Sequence, residues 1–348
     1  MNIGGIEIKD QHPTFVIAEL SANHNGSLDD AIALMETAKA SGADAIKIQT
    51  YKADTITLKS NRPEFQINSG TMWDGRNLYD LYDEAHTPWD WHEALFSKAS
   101  DLEIPLFSTP FDDTAVELLE RFDPPAYKIA SFELIDHGLL RTVARTGKPI
   151  IMSTGMATLG EIEEAVSVIR EEGCESLCLL KCTSSYPAPI EEANLRTIPH
   201  LAETFDVVAG LSDHTLTEVV PIGAVAIGAR VIEKHLTQSR DLPGPDSAFS
   251  IEPAEFRSMV DGIRTVEAAL GGVDYSLTDG EKASVKYRRS LFVSADMKKG
   301  DKFSATNIKS VRPGHGLPPK FLPEVIGKTA VADYEVGTPL SWEMMSDS

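Results

Sequence analysis

The sequence predicts a (β/α)8 barrel followed by a small β-rich domain, and three observations support that fold class. Short Val/Ile/Leu-rich runs recur eight times, with helical stretches between them. Each run is continuously apolar rather than alternating, as expected of strands buried on both faces in a helix-covered parallel sheet. Polar side chains gather at, or just past, the end of each run, where such a barrel builds its active site. After Gly271-Gly272 the texture changes to short runs joined by Gly/Pro turns.

Residues 3–8 read as a hairpin arm, ended by His12-Pro13. Residues 14–19 are the first barrel strand and finish in Glu19. Ser27 caps a helix that Gly42 stops, with Ile32, Met35 and Ala38 on one face. Residues 45–49 are the second strand and carry Lys47 and Gln49. The segment from Asp54 to His86 is far longer than an ordinary βα loop, and loops of that length are usually functional. Thr87-Pro88-Trp89 opens a helix, with threonine as cap and proline in the first turn. Strands at 105–109 and 126–130 enclose a helix over 113–122, and a helix over 137–145 leads to a strand at 149–153. Thr158 and Glu161 form a capping box for a helix running to Gly173. Strands at 177–181, 207–211 and 231–232 complete the set, and a helix from Glu252 to Leu270 closes the barrel. Beyond it, short strands at 290–293, 309–312 and 329–332 form the second domain.

Composition bounds the function. At 348 residues, 42% hydrophobic and 24% charged, the chain reads as soluble and globular. Its net charge of −21 argues against nucleic acid and anionic membrane as partners, since both require a basic surface. A few lysines inside a cleft still leave an anionic small substrate open. Cys174, Cys178 and Cys182 match no zinc spacing and read as free thiols. The N-terminus has no signal-peptide features, and the most apolar stretch, 219–232, is too short and too broken to span a bilayer. A cytoplasmic location is expected.

The richest stretch is VIEKHLTQSRDLPGPD, residues 231–246. A strand alternates its faces, so Glu233 and His235 point the same way. GLSDH places His214 at the matching end of the neighbouring strand, and two such histidines can share a divalent ion able to polarise a carbonyl. Lys47 and Lys128, with Ser131, Ser153 and Ser184, could hold a phosphate and a carboxylate. Glu19, Glu133, Glu233 and Asp246 could hold hydroxyls or move protons. No P-loop or GxGxxG motif is present, which argues against a nucleotide. From the residues, the reading is a barrel enzyme joining a small phosphorylated acid to a carbonyl compound. A Schiff-base aldolase using Lys128 or Lys47 is the competing chemistry.

In order, AELSANHNGSLDDA, GADAIKIQTY, FSTPFD, YKIASFE, PIIMSTGMA, KCTSSYPAP, GLSDHT, IEKHLT and GPD resemble the sialic acid synthase family. RRSLF and SVRPGHGLPP resemble its antifreeze-like, or SAF, domain. The resemblance implies a TIM barrel over 1–272, a linker over 273–286 and a SAF domain over 287–348. It also implies condensation of phosphoenolpyruvate with an amino-sugar aldehyde to give a nine-carbon 2-keto acid. By the same resemblance His214 and His235 bind Mn2+, Mg2+ or Co2+, and Lys47, Lys128, Ser131, Ser153, Ser184 and Ser212 hold phosphoenolpyruvate. Gln49, Glu133, Tyr186, Asp246 and Arg312 hold the sugar, and Glu19, Glu233 and His235 form the catalytic centre. LYDLYDEAHTPWDWHEALF, YKIASFEL and CTSSYPAP are most similar to the pseudaminic acid branch, whose acceptor is a 2,4-diacetamido-2,4,6-trideoxy hexose. Ser184 stands where the sialate branch typically has asparagine, which argues against N-acetylmannosamine as acceptor. Synthesis of N-acetylneuraminate or legionaminate is the alternative. In the long segment, Phe65, Met72, Trp73, Tyr79 and Tyr82 offer apolar surface suited to acetamido methyls and a 6-deoxy carbon. Family likeness finally implies a homodimer in which each C-terminal domain covers the partner's barrel, with Arg312 acting in trans.

Overall fold

The computed structural model describes residues 1–347. It divides the chain into two compact units, the first Met1–Gly271 and the second beginning at Gly272.

In the first unit eight strands close a barrel in which every neighbouring pair is parallel. They are β1 (Phe15–Glu19), β2 (Ala45–Thr50), β3 (Leu106–Pro110), β4 (Tyr127–Ile129), β5 (Ile150–Ser153), β6 (Leu177–Cys182), β7 (Val208–Asp213) and β8 (Val231–His235). The helices that follow them are α1 (Leu28–Ala40), α2 (His92–Asp101), α3 (Asp113–Leu119), α4 (His137–Ala144), α5 (Leu159–Glu171), α6 (Thr197–Phe205), α7 (Val219–Ala226) and α8 (Pro253–Leu270). Neither α6 nor α7 is singled out by the sequence reading.

Strand alternation sorts the apolar residues into two cores. Ala18, Ile46, Leu106, Ile129, Met152, Leu179 and Leu211 face the helices. Ile17, Ala45, Phe107, Ile151, Leu180 and Val231 fill the barrel, and Ile3 and Ile8 of the N-terminal hairpin plug its lower end. At Gly210, on the inward face of β7, a Cβ would lie 2.1 Å from the Val231 carbonyl oxygen, so only glycine fits.

Two expectations are corrected here. Thr87 does not cap a helix. Trp89–Trp91 is a 3-10 turn, α2 begins at His92, and the Thr87 hydroxyl is buried without a partner. The expectation that polar strand-end side chains face the cleft fails at two positions, since Ser108 and Lys181 both lie on the outward parity. Ser108 bonds Thr50 Oγ1 (2.6 Å) and the Ile48 carbonyl (3.1 Å), and Lys181 donates to the Cys182 carbonyl (2.8 Å). The long segment after β2 is structured, with short helices at Ala53–Ile56 and Leu78–Ala85.

The second unit pairs β9 (Ser290–Val293) with β10 (Ile308–Val311), antiparallel. A shorter antiparallel pair joins Thr329–Ala330 to Met345–Ser346. Leu291, Val293, Phe303, Ile308 and Leu340 form its separate core. Within the stretch read as connector, Thr278 caps a short helix at Asp279–Lys282, with Glu281 closing the capping box. No helix among the described residues is long and apolar enough to cross a membrane.

Candidate active site

The inward parity that buries Ile17, Ala45, Ile151 and Val231 lower in the barrel brings charged residues inward at its upper end. Two residues further along the same strands stand Glu19, Lys47, Ser153 and Glu233, with Gln49 and His235 above them. Lys128 of β4 and Ser212 of β7 share this face of the wall. Lys47 is the hub. Its ammonium lies 2.6 Å from Glu19 and 3.7 Å from Glu233, and it donates to Thr109 Oγ1 at 2.9 Å. Burial pulls the Lys47 pKa down, but the two carboxylates outweigh it and hold the lysine cationic. Burial pushes the Glu19 carboxyl up, against the pull of Lys47.

Opposite this cluster, Lys128 donates to Ser153 Oγ at 2.7 Å and to the Ile129 carbonyl at 2.8 Å. Burial lowers its pKa. The Gly155 N–H donates to Ser131 Oγ at 3.0 Å. Ser184 adjoins the same place, since a Cβ on Gly155 would lie 2.3 Å from its hydroxyl. Ser212 Oγ donates to Glu233 at 3.3 Å. The result is two ammonium groups among serine hydroxyls, a suitable receptor for a small phosphorylated carboxylate.

The sugar-side candidates are less uniform. Gln49 donates to Glu19 (3.0 Å) and Ser21 (3.2 Å), Ser21 donates to Asp246, and the Ala22 N–H adds a bond to Asp246 at 3.2 Å. Tyr186 packs 4.4 Å from the His214 ring and lines the cleft. Glu133 stands apart from that lining. One of its oxygens is buried without a partner, and burial pushes its carboxyl up to about 7. Arg312 belongs to the second unit, where it is exposed.

The His214 and His235 rings lie 5.2 Å apart, at the ends of β7 and β8. His214 Nδ1 donates to the Thr183 carbonyl at 2.9 Å, which leaves Nε2 with a free lone pair. His235 Nδ1 is buried without a partner, as is one Glu233 oxygen. One orphaned buried nitrogen on His235, facing a neighbouring imidazole whose Nδ1 is already bonded, fits a pair of metal ligands. Among the described residues no three His, Cys, Asp or Glu side chains converge on one point. The protein would therefore supply two ligands and leave the other positions to substrate and water.

A larger cavity, about 380 Å³, opens at the other end of the barrel beside Met1, Lys9, Asp10 and Arg230. None of the catalytic candidates reaches it, and Arg230 is already paired with Asp10 at 3.0 Å. The reactive cleft is the one at the strands' C-terminal ends. The sequence reading missed Thr109, whose position two residues after Phe107 in β3 would have revealed its direction. The same parity, two residues after Leu180 in β6, would have revealed Cys182, which lines the cleft beside His214. Ser21 and Phe249, the latter 5.0 Å from the His235 ring, carry no local signal.

Residues 34–275 match the profile of the NeuB family. The chain belongs to the NeuB family. Residues 288–345 match the SAF domain. This NeuB-family chain is 48% identical, over 94% of its length and 95% of the relative's, to a pseudaminic acid synthase of Campylobacter jejuni. It is 45% identical to the pseudaminic acid synthase of Helicobacter pylori, covering 94% of this chain and 97% of that one. A crystal structure of the N-acetylneuraminic acid synthetase of Leptospira borgpetersenii, in complex with citrate, superposes with a TM-score of 0.73. That match has 31% identity and covers 82% of this chain and 94% of the other.

Proposed function

We propose that this chain condenses phosphoenolpyruvate with 2,4-diacetamido-2,4,6-trideoxy-L-altropyranose and water, releasing pseudaminic acid and phosphate. One observation carries the choice of acceptor: 48% identity to a pseudaminic acid synthase, spread across both domains. Lys47, Lys128, Ser131, Ser153, Ser184 and Ser212 hold the phosphate and carboxylate of phosphoenolpyruvate. Gln49, Glu133, Tyr186 and Asp246 hold the open-chain sugar. C3 of phosphoenolpyruvate forms a bond to the aldehyde carbon, whose oxygen takes up a proton. Positive charge develops at C2, where Glu19 and Glu233 stabilise it through a low-dielectric site. Water adds at C2 and loses a proton, and the tetrahedral hemiketal phosphate expels phosphate with cleavage of its C–O bond. His214 and His235 would hold a divalent cation, which supplies Lewis-acid polarisation of the aldehyde when bound. Mn2+, Mg2+ and Co2+ all suit two imidazoles completed by oxygen ligands.

The homodimer belongs to the same reading. Phe132, Ile135, Met156, Leu159, Leu216 and Val219 are exposed apolar residues on the segments after β4, β5 and β7, at the rim of the cleft. Exposed apolar surface of this kind suits a covering partner, here the C-terminal domain of a second copy bringing Arg312. The reaction is assigned to the cytoplasm.

Phosphate release in the presence of each acceptor tests the reading. The diacetamido trideoxy sugar should be turned over with strict dependence on a divalent cation and loss on chelation. An isotopic label in the bridging oxygen of phosphoenolpyruvate should appear in the phosphate. Preference for N-acetylmannosamine would refute the acceptor, and retention of the label in the keto acid would refute the mechanism.

A further inference from the structure

The segment between β2 and α2 contains a tied hairpin. The Ile67 N–H donates to the Arg76 carbonyl at 2.9 Å, and the Gly75 N–H returns to the Ile67 carbonyl at 2.8 Å. At its tip the Asp74 carboxylate accepts from the Ser69, Gly70 and Thr71 N–H groups at 3.0–3.1 Å. Gly75, with φ of 84°, makes the return. The hairpin thus presents Trp73 in a defined place.

Trp73 joins this hairpin to the far side of the cleft. Its indole N–H donates at 3.1 Å to the carbonyl of Pro245, the residue before Asp246. Its ring centroid lies 5.7 Å from Tyr186 and 6.1 Å from Phe249. Tyr186 in turn packs against His214, and Phe249 lies 5.0 Å from His235. An apolar wall therefore runs from the inserted hairpin to the two histidines, with Asp246 beside it. The indole's one polar atom is already bonded, so the part of the ring left uncovered is purely apolar.

We propose that Trp73 is a specificity-determining residue that receives a methyl group of the acceptor sugar. The inference rests on the acceptor being an amino-sugar aldehyde. A methyl against the indole buries apolar surface, whereas a hydroxyl at the same point loses water and finds no partner. Of the acceptor's three methyl groups, the 6-deoxy carbon and the acetamido methyl on N4 are the two that N-acetylmannosamine lacks, and one of these is the methyl read by the indole.

Three acceptors distinguish them: the diacetamido trideoxy sugar, its C6-hydroxylated counterpart, and its counterpart with a 4-hydroxyl in place of the 4-acetamido group. Discrimination of about tenfold or more in kcat/KM against one analogue is expected of the natural chain. Trp73→Ala should bring that ratio close to unity, with KM for phosphoenolpyruvate unchanged. Trp73→Phe, which keeps an apolar ring, should retain most of the preference. Trp73→Gln keeps a donor for Pro245 without the ring and should lose it, which decides the matter even if the alanine variant does not fold. Loss against the C6-hydroxyl sugar assigns the 6-deoxy carbon, and loss against the 4-hydroxyl sugar assigns the acetamido methyl. The proposal fails if the natural chain shows no preference, if Trp73→Ala and Trp73→Gln retain it, or if Trp73→Phe loses it equally. Absence of phosphate release with every acceptor defeats the functional reading itself, an outcome distinct from a folded, active chain whose specificity ignores Trp73.

Discussion

Glu133 ties the chemistry of the site to its stability. Burial raises its carboxyl from 4.5 to about 7, and one oxygen has no protein partner. Below pH 4.5 the group is protonated in both folded and unfolded chains and contributes nothing to the pH dependence. Between pH 4.5 and 7 the folded chain keeps a proton that the unfolded chain releases, so stability falls as pH rises through this window. Glu133→Gln should leave thermal stability unchanged near pH 4 and raise it at pH 8 by about 3 kcal/mol, and the role proposed for Glu133 in holding the sugar predicts lower turnover as well. Equal melting curves for the two proteins at pH 8 would contradict the raised pKa. Lys47 illustrates the opposite arrangement. Fully buried, it is stabilised as a cation by Glu19 and Glu233, and removing one member would strand a buried charge.

At the scale of single elements, caps and parity decide what the chain does locally. Thr158 and Glu161 bond each other's backbone N–H groups at the start of α5, the reciprocal arrangement their spacing suggests. Thr87 offers the same residue type before an apparent helix start, yet its hydroxyl has no partner. The intervening turn at Trp89–Trp91 moves the first helical residue out of its reach. Thr87→Val should therefore be neutral or stabilise by up to about 1 kcal/mol, because it removes an unpaired buried hydroxyl. Thr158→Ala should cost about 1 kcal/mol. Chemical denaturation of the two variants checks both, and a Thr87→Val loss as large as that of Thr158→Ala would restore the capping role to Thr87.

Across the whole molecule, charge is unevenly shared. All of the excess acid lies in the first unit, whereas Lys286, Arg288, Arg289, Lys309 and Arg312 gather exposed near β9 and β10 of the second. Opposite surfaces of this kind favour docking between copies. If Arg312 serves the partner's cleft, Arg312→Ala and His235→Ala chains, each nearly inactive, should form heterodimers on mixing with one intact site in each. Activity should rise to about a quarter of the natural dimer's, since half the dimers are mixed and each has one working site. No recovery after demonstrated subunit exchange would assign Arg312 to its own barrel or to no site.

The barrel was legible in the sequence because its cause is local: continuous apolar runs can be buried on two sides only in a covered parallel sheet. The family was legible for the same reason, since its motifs are contiguous strand ends and loops such as IKIQT, YKIAS and IEKHLT. Direction within a strand was half legible. Parity placed Glu233 with His235, but the same rule, not applied to β3, would have separated Ser108 from Thr109. What only the tertiary structure decided are the contacts between distant segments. Lys47 reaches Glu233 across β1, Ser21 meets Asp246, and Trp73 bonds a carbonyl 172 residues away. No periodicity encodes such pairs, because barrel closure and the packing of inserted loops set them, and these depend on the whole chain at once.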